Sequence, residues 1–268
     1  MRTKTFYYAN ELTDDFADTG IKRKPLKKGF RYEKRNPFWH ALAFVFYRLI
    51  ATPIAWLWQR VVLGDRIKGK SKLRPYRKTG YYLYGNHTQF AGDAFTPSLV
   101  TFPKKSYILV GPDAFSIPAV SSLVAMMGGV PIPDTVEHTR AFMKWINRAA
   151  DKKRVTVIYP EAHIWPQYTG IRPFDAVSFR YPAQQGLPVF TFTRTFHKRS
   201  WGKRPHCTVY VDGPFFADEG LSVREKKQSL RDQAYFAMVK RSKESDYSVH
   251  TYLKVAKREE DESAKTGG

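Results

Sequence analysis

The sequence has few cysteines and few acidic residues for its length. Its 268 residues include one cysteine, Cys207, which excludes a disulfide framework and a cysteine-based metal site and is typical of a reducing compartment. Asp and Glu number 24 against 45 Lys and Arg, so the formal net charge is +21. This excess indicates an anionic partner, and the two candidates are nucleic acid and an anionic membrane.

Two sequence features are also missing. Residues 1–19 are polar and acidic, so we expect no signal peptide. The sequence contains no Gly-x-Ser-x-Gly, which argues against a serine-hydrolase nucleophile. With 43% hydrophobic and 26% charged residues, the chain is neither a disordered protein nor a polytopic membrane protein, and its length is ample for a buried core.

The basic residues are concentrated in two stretches, residues 20–36 and 60–80. Each stretch contains eight Lys or Arg and one acid, so together they supply +14 of the net charge. Between them, residues 37–59 are strongly apolar and carry one formal charge, Arg48. Basic patches of nucleic-acid-binding proteins rarely bracket a Trp-rich apolar segment, so this arrangement favours a membrane surface and predicts no nucleic-acid partner.

The apolar segment has the features of a membrane anchor. Trp39, Trp56 and Trp58 lie near its ends, as interfacial tryptophans do. Arg48 and Pro53 interrupt it, and a helix over residues 38–50 measures about 20 Å, short of the ~30 Å hydrocarbon core.

We therefore interpret residues 37–63 as two short helices that form a monotopic anchor in one leaflet. Both basic stretches then face the same anionic surface. The alternative is that the segment forms a buried helical hairpin in a soluble core, because an apolar run of this length is compatible with either location.

After residue 80, short apolar runs alternate with helical patterns. This alternation predicts an α/β fold with a mostly parallel twisted sheet flanked by helices. The predicted domains are a polar and basic segment at 1–36, the anchor at 37–63, the main domain at 64–256 and a disordered tail at 257–268. The predicted strands are residues 81–84, 107–110, 129–132, 155–159, 187–192 and 207–211.

Two helices are predicted in detail. In residues 135–150, the spacing of Val136, Met143, Ile146 and Ala150 predicts a buried face. Residues 222–240 begin with a capping box, Ser222 and Glu225. Their predicted buried stripe consists of Leu230, Ala234 and Ala237 or Met238.

Two predicted strands are followed by residues that can do chemistry. His87 and Asp93 follow the strand at 81–84, and Glu161 and His163 follow the strand at 155–159. Ligands of open α/β sheets bind beyond the carboxyl ends of the strands. A histidine whose tautomer is set by a carboxylate can remove a proton from a hydroxyl. The spacing alone leaves open that His87 is a structural histidine.

Four motifs in this order resemble the glycerolipid acyltransferase family, which includes the bacterial lysophosphatidate acyltransferases. The resemblance covers roughly residues 70–212, and the anchor at 37–63 resembles the two-helix anchor of many members. The matching residues are Asn86-His87 with Asp93, Gly128-Gly129-Val130-Pro131-Ile132-Pro133-Asp134, Tyr159-Pro160-Glu161-Ala162-His163, and Leu187-Pro188-Val189-Phe190.

The resemblance implies an O-acyltransferase of the 1-acylglycerol-3-phosphate type. His87 is then the general base that deprotonates the acceptor hydroxyl, and Asp93 orients it. The hydroxyl attacks an acyl thioester directly, carried by acyl carrier protein or coenzyme A, and no cofactor is needed. The implied partners are this donor, a lysolipid acceptor and an anionic membrane surface. The implied location is the cytoplasmic face of the cell membrane, monotopic or peripheral.

The chain departs from the family pattern at several positions. Five residues rather than four separate His87 from Asp93, and we expect Gly92 to absorb the extra residue through backbone angles that other residues avoid. In the third motif Ala162 replaces the glycine and Ile164 the arginine. Thr135 stands where the second motif has an arginine.

In the family these arginines are associated with the acceptor phosphate. Either another arginine of this chain replaces them, or the acceptor has no phosphate there. The predicted acceptor-binding residues are Glu161, His163, Arg140, Arg172 and Arg180. Arg172 and Arg180 have an alternative role as ion-pair partners of Glu161 or Asp175.

Three further interpretations concern residues outside the catalytic pair. Trp165 lines the acceptor pocket or packs in the core, and Cys207 is a small core residue. The cluster Arg194, Lys198, Arg199, Lys203 and Arg204 is interpreted as a solvated loop. The alternative function is a non-catalytic membrane or lipid-binding protein on an acyltransferase scaffold, in which the longer spacing separates His87 from Asp93.

Overall fold

A computed structural model describes residues 3–16, 25–33, 36–89, 92–116, 118–200 and 204–255. The predicted disordered tail at 257–268 lies outside the described residues. The same holds for part of the first basic stretch, residues 20–24 and 34–35, and for Lys203.

Seven strands form the central sheet, in the order β2-β8-β7-β3-β6-β4-β5. All neighbouring strands are parallel except β7 and β8, which are antiparallel. The fold is therefore α/β with a mostly parallel sheet, as predicted. The strands are β2 (Arg66–Lys68), β3 (Tyr81–Gly85), β4 (Ser106–Val110), β5 (Gly129–Pro131), β6 (Val155–Ile158), β7 (Val189–His197) and β8 (His206–Phe215).

The six predicted strands are confirmed as β3 to β8. The central strand β3 is buried on both faces, because Tyr81 and Leu83 pack in one core cluster and Tyr82 and Tyr84 in the other. This two-sided burial is the reason for its continuous apolar sequence. β2 was not predicted, since its three residues carry two charges.

A second sheet joins the two ends of the described chain. β1 (Thr5–Tyr8) pairs in parallel with β9 (Thr251–Lys254). Phe6 stacks on Tyr252 with ring centroids 5.0 Å apart. Part of the predicted polar segment at 1–36 therefore packs on the main domain.

Five α-helices follow β3 along the chain. α7 begins with the predicted capping box, in which Ser222 and Glu225 exchange hydrogen bonds, and it buries Leu230, Ala234 and Met238. The helices are α3 (Gly92–Thr101), α4 (Pro118–Met126), α5 (Val136–Asp151), α6 (Arg180–Gln185) and α7 (Val223–Ser242), and short 3₁₀ segments occupy Lys70–Lys78 and Pro112–Phe115.

The predicted buried face of α5 is confirmed in part. Ile146 is buried and Met143 packs against the same core cluster, as predicted, whereas Val136 is exposed. The other buried apolar residues of the helix are Phe142, Trp145 and Ala149. The large aromatic rings lie on the face that covers the sheet, and this packing decides the orientation of the helix.

The predicted two-helix anchor is instead one continuous helix, which we call the apolar helix. It consists of α1 (Pro37–Val45), a π-helical turn (Phe46–Ala51), α2 (Thr52–Leu57) and a second π-helical turn (Trp58–Leu63). The helix accommodates Pro53 after the first wide turn, where the backbone N–H of Thr52 donates to the carbonyl of Tyr47. The section Pro37–Val61 is long and apolar enough to cross a membrane by length and composition.

The apolar helix packs on the domain through one narrow stripe. The stripe residues recur every fourth position and are Ala43, Tyr47, Ala51, Ala55 and Gln59. A repeat of four drifts by about 40° per step around an ordinary α-helix of 3.6 residues per turn. The wider π-helical turns reduce this drift, so the stripe stays on one face.

Both ends of this stripe contact the domain. The hydroxyl of Tyr47 lies 3.2 Å from the hydroxyl of Ser106 at the start of β4. The amide of Gln59 donates to the hydroxyl of Thr96 in α3 at 2.9 Å. The twelve helical steps from Tyr47 to Gln59 correspond to about 18 Å, so the helix lies along the domain. Its other face exposes large apolar side chains, among them Leu49, which is 70% exposed.

Candidate functional site

The candidate site lies at the carboxyl edge of the sheet, where β3 and its neighbour β6 end. His87 follows β3 by two residues, and Tyr159 and Glu161 follow β6. Parallel pairing of the two strands brings both loops to the same edge. The sequence-predicted pairs His87–Asp93 and Glu161–His163 therefore lie in adjacent loops.

His87 and Asp93 are hydrogen-bonded. Nδ1 of the His87 ring lies 2.9 Å from Oδ2 of Asp93, although five residues separate the two along the chain. Asp93 is in the first turn of α3 and is almost fully buried. Its Oδ2 also accepts the backbone N–H groups of Thr88 and Gln89, each at 2.8 Å. The carboxylate is thus held by the loop that carries His87.

Gly92 does not absorb the extra residue in the way predicted. It belongs to α3 and does not have a positive φ. A side chain at this position would instead meet the Gln89 side chain, with 2.3 Å between a Cβ and Oε1 of Gln89. The glycine therefore serves close packing rather than an unusual backbone angle.

Tyr159 supports the His87 ring from the neighbouring strand. The two rings are stacked with centroids 4.5 Å apart and planes inclined by 20°. The Tyr159 hydroxyl donates to the backbone carbonyl of Asp93 at 2.5 Å. One tyrosine thus contacts both members of the pair.

Asn86 joins the end of β3 to β7. Its side-chain amide donates to the carbonyl of Arg194 at 3.1 Å, and its side-chain oxygen accepts the backbone N–H of Arg194 at 2.8 Å. These bonds extend the pairing of the two strands past the end of β3 and orient the chain entering His87.

Arg194 lies beneath His87 and Asp93, so its assignment to a solvated loop is wrong. It is buried and ion-paired with Asp65 at 2.6 Å. Its Nε lies 3.9 Å from Oδ1 of Asp93, and its Nη2 donates to Thr96. A positive charge is therefore placed behind the Asp93 carboxylate. The alternating positions of the strand sequence indicated this burial, because Arg194 lies on the same face of β7 as Phe190 and Phe192.

Glu161 and Arg172 form a buried ion pair, with 3.5 Å between Oε2 and Nη2. Glu161 also accepts the backbone N–H of His87 at 3.1 Å and that of Arg172 at 3.1 Å. Burial raises the pKa of Glu161, and the Arg172 charge opposes this shift. The two side chains are enclosed and bound to each other, which is the alternative role predicted for Arg172, and their acceptor-binding role stays a prediction.

His163 and Trp165 lie in the same loop but differ in exposure. His163 is partly exposed, and its Nδ1 lies 3.4 Å from a carboxylate oxygen of Asp15. Trp165 is fully buried and stacks on Tyr252 at 5.0 Å. Of the two interpretations of Trp165, core packing is the one observed.

Arg140 and Arg180 are exposed on the first turns of α5 and α6. Within the described parts of the chain, no hydrogen bond or ion pair joins either arginine to His87 or Asp93. The structure therefore does not bring them together with the catalytic pair.

Ala162 has a backbone conformation that favours glycine. Its φ is +62°, in the left-handed region that L-residues adopt at a cost of about 1–2 kcal/mol. The matching position of the third motif is glycine in the family that the sequence resembles. The turn after Glu161 thus keeps its shape without the residue best suited to it.

The remaining interpretations concern Cys207 and metal ions. Cys207 is buried, as expected, and burial raises the pKa of its thiol to about 11. Among the residues that the structure describes, no group of three or more His, Cys, Asp or Glu side chains is placed to hold a metal ion. The chemistry that the arrangement offers is proton transfer at His87.

Comparison with known proteins gives a structural relative. No protein-family model and no curated protein matches the chain. The fold is similar to the crystal structure of the 1-acyl-sn-glycerophosphate (LPA) acyltransferase PlsC from Thermotoga maritima, with a TM-score of 0.50 over 75% of this chain and 86% of that chain. The two sequences are 14% identical, so the likeness shows that the chain has the α/β fold of that enzyme.

Proposed function

We propose that this protein is a membrane-associated acyltransferase that moves a fatty acyl group from an acyl thioester to the hydroxyl of a lysolipid. The observation that carries the proposal is the 2.9 Å hydrogen bond between His87 and Asp93 at the carboxyl edge of the sheet. The fold shared with a lysophosphatidate acyltransferase supports it.

In the proposed reaction, the Nδ1–H group of His87 donates a hydrogen bond to Asp93. The unprotonated Nε2 is then the base. Nε2 takes the proton of the acceptor hydroxyl while the oxygen bonds to the thioester carbonyl carbon. The carbon–sulfur bond then breaks, and the proton passes from Nε2 to the leaving thiolate. The products are an ester and a free thiol. General-base assistance of this kind contributes about 10²–10⁴ in rate.

The network around Asp93 supports this division of roles. Two backbone N–H groups bind the carboxylate, and the guanidinium of Arg194 lies 3.9 Å away. These contacts hold the carboxylate in place beside the His87 ring. The Asp93 carboxylate then stabilises the imidazolium that forms on His87 during the transfer.

The proposed donor is acyl carrier protein or coenzyme A carrying the acyl group. Both are anionic, and the net charge of +21 favours their approach. The proposed acceptors include lysolipids with and without a phosphate, because Arg172 is bound to Glu161 and is not available to an acceptor phosphate.

The proposed location is the cytoplasmic face of the cell membrane. The apolar helix lies along the domain and contacts it at Tyr47 and at Gln59. Because the helix is bound to a polar domain at both contacts, we propose that it lies parallel to the membrane. Its exposed apolar face is then buried in one leaflet. The basic surface of the domain then faces anionic headgroups.

The alternative function, a non-catalytic lipid-binding protein, is disfavoured by one observation. It requires the longer spacing to separate His87 from Asp93, and the two side chains are in hydrogen-bond contact.

A panel of lysolipids tests the proposal. Purified full-length protein in vesicles is given acyl carrier protein or coenzyme A loaded with a labelled acyl group, and products are identified by mass spectrometry. We expect a diacylated product with at least one donor and acceptor pair. Release of free fatty acid alone, or no product from any pair, contradicts the proposal.

A further inference from the structure

A cavity of about 330 Å³ lies between the apolar helix and the sheet, away from the candidate catalytic site. Its walls include Lys105, just before β4, and Arg154, just before β6. Ser106 and Tyr81, the first residues of β4 and β3, both pair with Val155, the first residue of β6. The two cations precede these strands and therefore lie at the level where β3 starts. His87 lies six residues beyond Tyr81, which corresponds to about 20 Å of extended chain. The cavity is therefore at the opposite edge of the sheet.

The cavity is lined by an excess of positive charge. Four cations and one carboxylate, Glu33, belong to its walls; the cations are Arg31, Arg48, Lys105 and Arg154. Glu33 is already bound by Arg154 at 2.6 Å and by Lys152 at 3.1 Å. In the described residues no carboxylate lies within ion-pair distance of Lys105 or Arg48. Two cations thus face the cavity without a counter-charge.

Three residues of the cavity wall have buried polar atoms without a hydrogen-bond partner in the described part of the protein. They are Nη1 of Arg48, Nη1 of Arg154 and the hydroxyl of Tyr32. Leaving a buried donor unpaired costs about 1–3 kcal/mol, and more for a charged group. Acceptor oxygens of a ligand in the cavity can pair with these donors when the side chains turn toward it.

Lys105 is half-buried in mainly aromatic surroundings. Its ammonium lies 4.9 Å from the Tyr47 ring centroid and 5.6 Å from that of Tyr107, and it donates to the carbonyl of Met126 at 2.7 Å. Desolvation lowers its pKa to about 8, and the nearby Arg154 and Arg48 charges add to the shift. An anion in the cavity removes this electrostatic cost.

The cavity also adjoins the exposed apolar face of the helix. Phe44 belongs to the cavity wall and is 63% exposed. Trp39, Phe115 and Trp145 complete an aromatic part of the lining. A ligand that combines an oxyanion with an apolar body matches this division between cations and rings.

We propose that this cavity binds the phosphate group of a glycerophospholipid at a site separate from the candidate catalytic site. The phosphate oxygens accept hydrogen bonds from the guanidinium groups of Arg48 and Arg154 and from the ammonium of Lys105. The acyl chains lie along the exposed face of the apolar helix. The proposal rests on the proposed membrane association, but it does not require transfer chemistry at His87.

Calorimetric titration of the full-length protein tests the site with two soluble probes, dihexanoyl phosphatidylglycerol and inorganic phosphate. Lys105→Met removes the buried ammonium and keeps an unbranched apolar side chain. Arg224→Met, at an exposed position of α7, is the matched control. We expect the lipid to bind wild type and the control alike, and Lys105→Met to bind it at least tenfold more weakly.

Other results overturn the proposal. Equal affinity for inorganic phosphate and the lipid assigns the site to free phosphate. Equal weakening of lipid binding by Lys105→Met and Arg224→Met assigns the weakening to the change in net charge. No binding to wild type also overturns it. Thermal unfolding without ligand checks that Lys105→Met folds. Arg48→Gln, which alters a second proposed phosphate-binding group, is titrated with the lipid in the same way. Transfer to a detergent-solubilised lysolipid is unchanged in Lys105→Met, so failure of this site and failure of the proposed transfer are separate results.

Discussion

Two His–Asp pairs show how similar contacts differ in what they permit. His138 is bonded through Nδ1 to Asp134 at 2.5 Å and through Nε2 to the carbonyl of Lys27 at 3.2 Å. Both ring nitrogens are occupied, so His138 is structural. His87 is bonded to Asp93 through Nδ1, and no hydrogen bond to Nε2 is found in the described part of the chain. The second nitrogen of His87 can therefore exchange a proton.

Replacement of Ala162 by glycine is expected to stabilise the fold. The residue has a φ of +62°, and glycine adopts this conformation without steric cost. We expect Ala162→Gly to raise the free energy of unfolding by about 1 kcal/mol in a urea titration. The control Ala150→Gly, inside α5, is expected to lower it by about 1 kcal/mol. A loss of stability in both variants contradicts the argument.

Anion binding in the basic cavity is expected to depend on pH through Lys105. The charged ammonium binds the anion, and its pKa is lowered to about 8 by burial. Burial raises the pKa values of the neighbouring Tyr47 and Tyr107, so these hydroxyls do not titrate near pH 8. Affinity for dihexanoyl phosphatidylglycerol therefore falls as the pH rises above about 8. Calorimetry from pH 7 to 9.5 checks this, and an equal slope in Lys105→Met contradicts it.

Individual residues differed in how well their sequence context predicted them. The contact between His87 and Asp93 could be predicted because both follow the end of the same buried strand. The ion pair of Arg172 with Glu161 was predicted only as an alternative, because mutual burial of two charges depends on the loop between them. Arg194 was misplaced because a charged residue in a basic run resembles a surface loop, while its alternation with Phe192 and Phe196 indicates the core.

At the scale of elements, the apolar helix is continuous at Pro53, where the sequence predicted a break. Pro53 predicted a break, and the chain instead continues through a π-helical turn. The strict four-residue repeat from Ala43 to Gln59 is readable in the sequence, but its meaning depends on the packing surface of α3. The strands were easier to predict, since continuous apolarity follows directly from burial on both faces.

The outer face of this helix is expected to hold the protein on membranes. Leu49 is 70% exposed and Ile54 56% exposed, and burial of such a side chain is worth about 1.5–3 kcal/mol. We expect Leu49→Ser and Ile54→Ser each to reduce partitioning onto anionic vesicles by about tenfold in a sedimentation assay. Phe236→Ser, which changes a 67% exposed residue of α7, is the control. Equal partitioning of all variants and wild type rules out this role of the helix.

At the scale of the whole molecule, the apolar helix contacts the regions of both proposed sites. Its N-terminal half borders the basic cavity at the edge where the strands start, and Gln59 contacts α3 beside Asp93 at the carboxyl edge. A membrane parallel to this helix therefore reaches both edges of the sheet. The net charge of the chain is +21, and its attraction to an anionic surface weakens as salt screens it.

The central claim is that His87 is the base of an acyl transfer. Its most direct test is the initial rate of transfer to a lysolipid by His87→Ala, per mole of folded protein. His138→Gln, which alters the pair of His138 with Asp134, is the control. We expect the transfer rate of His87→Ala to fall by about 10²–10⁴ and that of His138→Gln to stay close to wild type. A wild-type rate in His87→Ala would contradict it.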